Sequence, residues 1–253
     1  MFGLWTPLIA LTAVLLPLVW VKRRIAAGLQ ELSLRWTGDA DVALILYFVL
    51  LLPGVVVHEL SHWLMALALG VRVRRLSLGP VRRGRGRQVS LGSVRVSGAD
   101  PLRAGLIGLA PLLGGSAVIS AIGYWVLGIG TLGPILAGQG VEGLWAGLGQ
   151  IVQVADFWLW LYLIFAISNA MLPSESDVAA IRPVLIFLAL AALLLLLLRG
   201  VPVVPAGVVQ AAGEGVAYLA SAFGLTLAVD VPFGLAIGLM IWLTRRLQQD
   251  RRR

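Results

Sequence analysis

The chain has 253 residues, of which 59% are hydrophobic and 13% charged, with a formal net charge of +8. Soluble domains carry about 25% charged residues, so this composition, with a mean hydropathy of +0.94, excludes an ordinary water-soluble domain. The basic residues lie between apolar stretches and at the C-terminus with few aromatics among them, which excludes nucleic acid as the expected partner and favours lipid headgroups; with no cysteine there is no disulfide framework and no thiolate ligand.

Six apolar stretches approach the roughly 20 residues that cross a bilayer: Phe2–Val21, Val42–Leu69, Leu102–Gly128, Ile151–Leu172, Val178–Leu198 and Leu225–Leu243. The first has no charged residue ahead of it and no small-x-small cleavage site before Lys22, so it reads as a retained helix. In the second, Pro53-Gly54 marks a place for a kink. The predicted fold is an α-helical polytopic membrane protein, one domain over 1–253, with a small membrane-associated β-hairpin or sheet after the second helix.

Arginine counting sets an expected orientation. With both termini in the cytoplasm, the nine arginines of Val71–Arg103, Arg182 and the five of the C-terminal tail all fall inside, and only Lys22, Arg23, Arg24, Arg35 and Arg199 fall outside. The expected location is a cell membrane, plasma or inner, with the basic β-segment cytoplasmic.

Between the second and third spans the pattern changes from helical to alternating: Val71-Arg-Val-Arg, Leu76-Ser-Leu78, Val89-Ser-Leu91 and Val94-Arg-Val96 repeat every two residues. A Gly79-Pro80 break and a Gly84-Arg-Gly86 loop divide them. The segment 71–99 therefore predicts one or two β-hairpins with an apolar face and an arginine face. Thr131–Gln150 and Val201–Gly224 are Gly-rich and nearly uncharged, and read as interfacial helices or re-entrant loops on the outer side of the membrane. Gly234 and Gly238 form a small-xxx-small pair suited to close packing within the monomer.

The chemistry concentrates in His58-Glu59-Leu60-Ser61-His62, near the end of the second span. On a helix, positions i and i+4 share a face, so both imidazoles can bind one Zn²⁺, and Glu59 beside them can act as general base. These are the only two histidines of the chain, flanking one of its five glutamates. Ionisable groups within a span are costly to bury and usually functional. Without a third histidine the remaining protein ligand must be a carboxylate. Asp156, Asp230, Glu142 and Glu214 are poor candidates, because their positions place them at outer ends or interfaces.

From Val57-His-Glu-Leu-Ser-His-Trp63 through Gly70-Val-Arg-Val-Arg-Arg-Leu-Ser-Leu-Gly79 the chain resembles the site-2 protease family of intramembrane zinc metalloproteases. Gly108-Leu-Ala-Pro-Leu-Leu-Gly-Gly115 is similar to a small-residue turn at the start of that family's next core helix. The resemblance covers about residues 42–183. It implies hydrolysis of a peptide bond in a transmembrane protein substrate, with Zn²⁺ held by His58, His62 and an aspartate eight residues after an asparagine. Asn169-Ala-Met-Leu-Pro-Ser-Glu-Ser-Asp177 keeps that spacing, so the resemblance assigns Asp177 as the third ligand and Asn169 to orienting substrate. The segment departs from the family in having one proline, Pro173, and Val178 where a glycine usually follows; Glu175 is the substitute ligand. Ser174-x-x-Asp177 also has the form of a capping box that starts a helix without any metal. The rival functions on the same motif are a membrane protease of soluble peptides and a non-proteolytic metal transporter or chaperone.

Overall fold

The computed structural model describes residues 5–83, 88–197 and 205–250. The helices are α1 (Trp5–Thr37), α2 (Ala40–Ala68), α3 (Pro101–Ala121), α4 (Leu132–Val152), α5 (Phe157–Met171), α6 (Glu175–Leu197) and α7 (Ala206–Asp250). A π-turn over Ile122–Val126 extends α3. Five helices are long and apolar enough to cross a membrane, or up to six if the bent pair around residue 154 is one span. Their outward faces carry exposed large side chains such as Leu185, Phe187, Leu188, Trp125 and Leu235. So much contiguous apolar surface would drive association in water and is compatible with a bilayer.

One hairpin forms after α2. The α2 C-terminus closes in a Schellman motif, with Gly70 N–H on Leu67 O (3.0 Å) and Val71 N–H on Ala66 O (2.8 Å); Gly70 adopts the left-handed φ of 68° this requires. The chain then enters β1 (Arg72–Arg83), which pairs antiparallel with β2 (Gln88–Ser97). The Gly79-Pro80 break is realised as a register shift between Leu78 and Val81 within β1, because proline brings no N–H to the ladder. The predicted Gly84-Arg-Gly86 loop lies outside the described residues. Val73 and Val96 pack onto Ala66, Val71 and Ile107, while Arg72, Arg74, Arg75 and Arg95 are exposed. Leu76 and Leu78 are exposed as well, so the apolar and basic residues are separated by burial only at the end of the ladder next to α2.

α2, α3 and α6 follow the expected spans within a few residues. Three elements differ. α1 does not stop at Lys22; it continues to Thr37 with Lys22 buried. The fourth stretch is broken: Ile151-Val152 end α4, Asp156 takes a left-handed φ of 57°, and α5 starts afresh at a 95° bend. Residues 206–224 are no separate outer segment but the first half of α7, which runs unbroken for 45 residues. Pro232 lies inside this helix without ending it.

The contacts also fix helix directions. Lys22 meets Asp230, Gly28 abuts Ile237, Glu31 pairs with Arg245 and Arg35 bonds Gln248, so α1 and α7 run parallel. Leu50 meets Tyr162 and Gly54 meets Ala166, so α2 and α5 run parallel too. α6 is antiparallel to α3, with Gly105 on Val184 and Gly108 on Asp177. α3 is antiparallel to α2, with Gly114 on Ser61 and Ile107 beside Ala66, so α5 and α6 run the same way. The start of α1 and the end of α7 lie at opposite ends of the bundle.

Candidate metal centre

α2 carries His58 and His62 one turn apart, and each ring is held by a backbone carbonyl from another helix. His58 Nδ1–H donates to Ala170 O (2.8 Å) and His62 Nδ1–H to Ile107 O (2.7 Å). Both carbonyls are available for local reasons. Ala170 is in the last turn of α5, whose final carbonyls lack helical donors. Ile107 lies four residues before Pro111, which has no N–H to offer it. The Gly108–Gly115 stretch is therefore not a turn: it is the interior of α3, where Pro111 frees the carbonyl and Gly108 admits the backbone of Asp177.

Gly54 brings the Ala170 carbonyl into reach of His58. A Cβ there would stand within van der Waals overlap of Ala166 O, so only glycine lets α2 and α5 approach this closely.

Asp177 enters from the first turn of α6. The capping box is formed: Ser174 N–H and Oγ–H both donate to Asp177 Oδ2 (2.8 and 2.6 Å), and Asp177 N–H donates to Ser174 Oγ (3.3 Å). The cap does not exclude a ligand role, because the same box points the carboxylate at the histidines. Asp177 Oδ1 lies 3.2 Å from His62 Nε2, and Oδ2 lies 3.6 Å from His58 Nε2. The two Nε2 atoms are 3.2 Å apart.

With Nδ1–H donated to a carbonyl, each neutral imidazole turns its Nε2 lone pair inward. Two imidazole Nε2 atoms and a carboxylate thus converge on one point. Three donors bound tetrahedrally to zinc at about 2.0–2.1 Å stand roughly 3.3 Å apart; the two Nε2 atoms have that spacing at 3.2 Å, and with one oxygen taken from Asp177 the three ligand atoms lie within 4.8 Å of one another. The second shell also fits, since ligating histidines donate their other N–H to carbonyls or carboxylates. Among the described residues, His58, His62 and Asp177 are the group that can hold a metal ion.

The group lines a cavity of about 840 Å³ together with Glu59, Asn169 and β2 residues Leu91 to Val94. Glu59 is buried at 5% exposure and faces β2 at Gly92. Glu175 lines the same cavity but is exposed and outside the donor group. Asp156, Glu142 and Glu214 are exposed and away from the cavity. Arg182, one turn beyond Asp177, is exposed and not among the cavity residues.

Asp230 differs from the sequence expectation of an interfacial position: it is fully buried in the middle of α7. It meets Lys22 and Ser168 there, and Asn169 bonds to it. Sequence reasoning missed this network, although a lone lysine next to an apolar stretch is a signal for a buried partner. No family model, curated protein or solved structure matches the chain.

Proposed function

We propose that the protein is an intramembrane zinc metalloprotease that hydrolyses a peptide bond in or beside a transmembrane segment of another membrane protein. The observation that supports this best is the convergence of His58, His62 and Asp177 beside a buried Glu59 in a cavity. A metal-binding role alone gives no reason for a fourth ionisable group next to the ligands.

Zinc, when bound, supplies Lewis acidity and lowers the pKa of water. His58, His62 and Asp177 hold it, their orientations set by Ala170 O, Ile107 O and Ser174. Glu59 takes the proton of the attacking water and delivers it to the leaving amine nitrogen. Asn169 orients the substrate. A helical substrate hides its peptide bonds in i→i−4 hydrogen bonds, so it must unwind to react. β2, which pairs on one side with β1 and lines the cavity, offers backbone groups to an unwound strand.

In this reading the helices cross the cell membrane with the hairpin on the cytoplasmic side. Among the described residues the hairpin and the start of α3 carry seven arginines (Arg72, Arg74, Arg75, Arg82, Arg83, Arg95 and Arg103), against three at the opposite end (Arg35, Arg245 and Arg246). The start of α1 is then cytoplasmic and the end of α7 is not.

The test is metal analysis of the purified protein beside its His58→Ala variant, with cleavage of a generic transmembrane substrate followed in both. Stoichiometric zinc and cleavage, both lost in the variant, support the reading. A zinc-loaded wild type that cleaves nothing would leave a metal-binding transporter or chaperone.

A further inference from the structure

Lys22 is the only lysine of the chain and Asn169 the only asparagine, and both converge on Asp230. Asp230 is 0% and Lys22 5% exposed. Lys22 Nζ lies 3.4 Å from Asp230 Oδ2 and also donates to the carbonyl of Ser168 near the end of α5. The other carboxylate oxygen, Oδ1, accepts from Ser168 Oγ (2.8 Å) and from Asn169 Nδ2 (3.3 Å). Asn169 Nδ2 donates in addition to Phe165 O (2.8 Å) and lies 3.3 Å from Ser168 Oγ.

This network decides which way the Asn169 carboxamide faces. A carboxylate and a carbonyl accept hydrogen bonds and cannot donate them, so the amide nitrogen must be the atom turned toward them. Its two hydrogens are then engaged, and what Asn169 retains for the cavity it lines is Oδ1. Stability is a weak reason for the ion pair, since a buried pair contributes little over apolar side chains of similar volume. A lone Asp230 would be costly to keep charged in this interior, and Lys22 makes that charge tenable.

We propose that Lys22 and Asp230 are positioning residues for Asn169: they hold its amide nitrogen away from the cavity, so that the side chain offers an acceptor to a backbone N–H of the substrate and not a donor to the developing oxyanion. The proposal rests on the proteolytic reading of the metal centre. It joins the flanking helices α1 and α7 to the chemistry, which sits on α2, α5 and α6.

The test exchanges the charges in the full-length, zinc-loaded protein. Lys22→Asp with Asp230→Lys keeps an ion pair but sets an ammonium against Asn169, which must turn its oxygen to it. Zinc content and thermal stability near wild type, with kcat/KM down about 100-fold, support the proposal; restored turnover in the exchange variant would overturn it. Should the exchange not fold, two neutral backgrounds replace it. Lys22→Met/Asp230→Asn keeps an acceptor and retains turnover, whereas Lys22→Met/Asp230→Leu removes it and loses turnover. Equal turnover in these two variants would equally overturn the proposal.

A second readout is independent of cleavage. [¹⁵N]Asn labelling gives a single side-chain amide signal, from Asn169. This signal shifts and exchanges faster in the Lys22→Met/Asp230→Leu background, where the amide has lost its carboxylate acceptor; an unchanged signal there would overturn the positioning. If wild-type protein binds zinc but cleaves nothing, the proteolytic reading falls and this signal alone decides the positioning.

Discussion

A Cβ placed on Gly92 of β2 would stand 2.5 Å from Oε1 of Glu59 on α2. The hairpin thus crosses directly over the proposed general base, and glycine is the residue that lets it do so. In Gly92→Ala the group that must yield is the far end of a flexible side chain, so the fold and the zinc site should persist while the carboxylate moves. We expect kcat to fall about 100-fold with zinc content unchanged. Wild-type turnover in this variant would show that Glu59 does not act from its observed position.

Glu59→Gln removes the base and keeps the volume. Zinc content should stay at wild-type level, because Glu59 is not in the donor group, while turnover drops by about 10²–10⁴-fold. Loss of zinc in this variant would make Glu59 a ligand instead.

The carboxylate ligand is tested by three substitutions read together. Asp177→Ala should lose both zinc and cleavage, and Glu175→Ala should keep both. Ser174→Ala removes the hydroxyl that bonds Asp177 Oδ2; we expect zinc affinity to fall about 10–100-fold and helix capping to weaken by about 1 kcal/mol. Reversal of the Asp177 and Glu175 results would move the ligand to Glu175.

Pro111→Ala restores a backbone N–H within reach of Ile107 O, where it competes with His62 Nδ1–H. Helix α3 should lose nothing in stability, since alanine favours the helix interior, yet zinc affinity should fall about 10–100-fold. Zinc titrations beside thermal melts separate the two effects. Unchanged affinity would mean that the Ile107 carbonyl does not orient His62.

Proline scanning of β2 over Val89–Val96 tests strand presentation of the substrate. Proline removes an N–H donor, so we expect positions at which cleavage fails while zinc content and folding persist. Charge reversal at Arg72, Arg74 and Arg95 should disturb membrane insertion without this selectivity. A crosslinker at Leu91 or Val94, both cavity residues, that never captured substrate would count against presentation.

The pair His58 and His62, the neighbouring Glu59 and the hairpin were legible because each is a local pattern: i, i+4 spacing on a helix and alternation on a strand. Asp177 and Asn169 were reached only through the family resemblance. Spacing along the chain says nothing about which of Asp177 and Glu175 turns inward; the Ser174 cap and the docking of α6 on α3 decide that. The network at Asp230 was beyond local reading, since Lys22 and Asp230 lie on the first and last helices. The sequence by itself determined the apolar character, the hairpin and the two-histidine face of α2, because hydropathy and periodicity are properties of neighbouring residues. Only the tertiary structure decided that α5 and α6 run the same way, that α1 and α7 are parallel, and that two charges from distant helices meet beneath Asn169, because direction and pairing depend on which helix faces pack together.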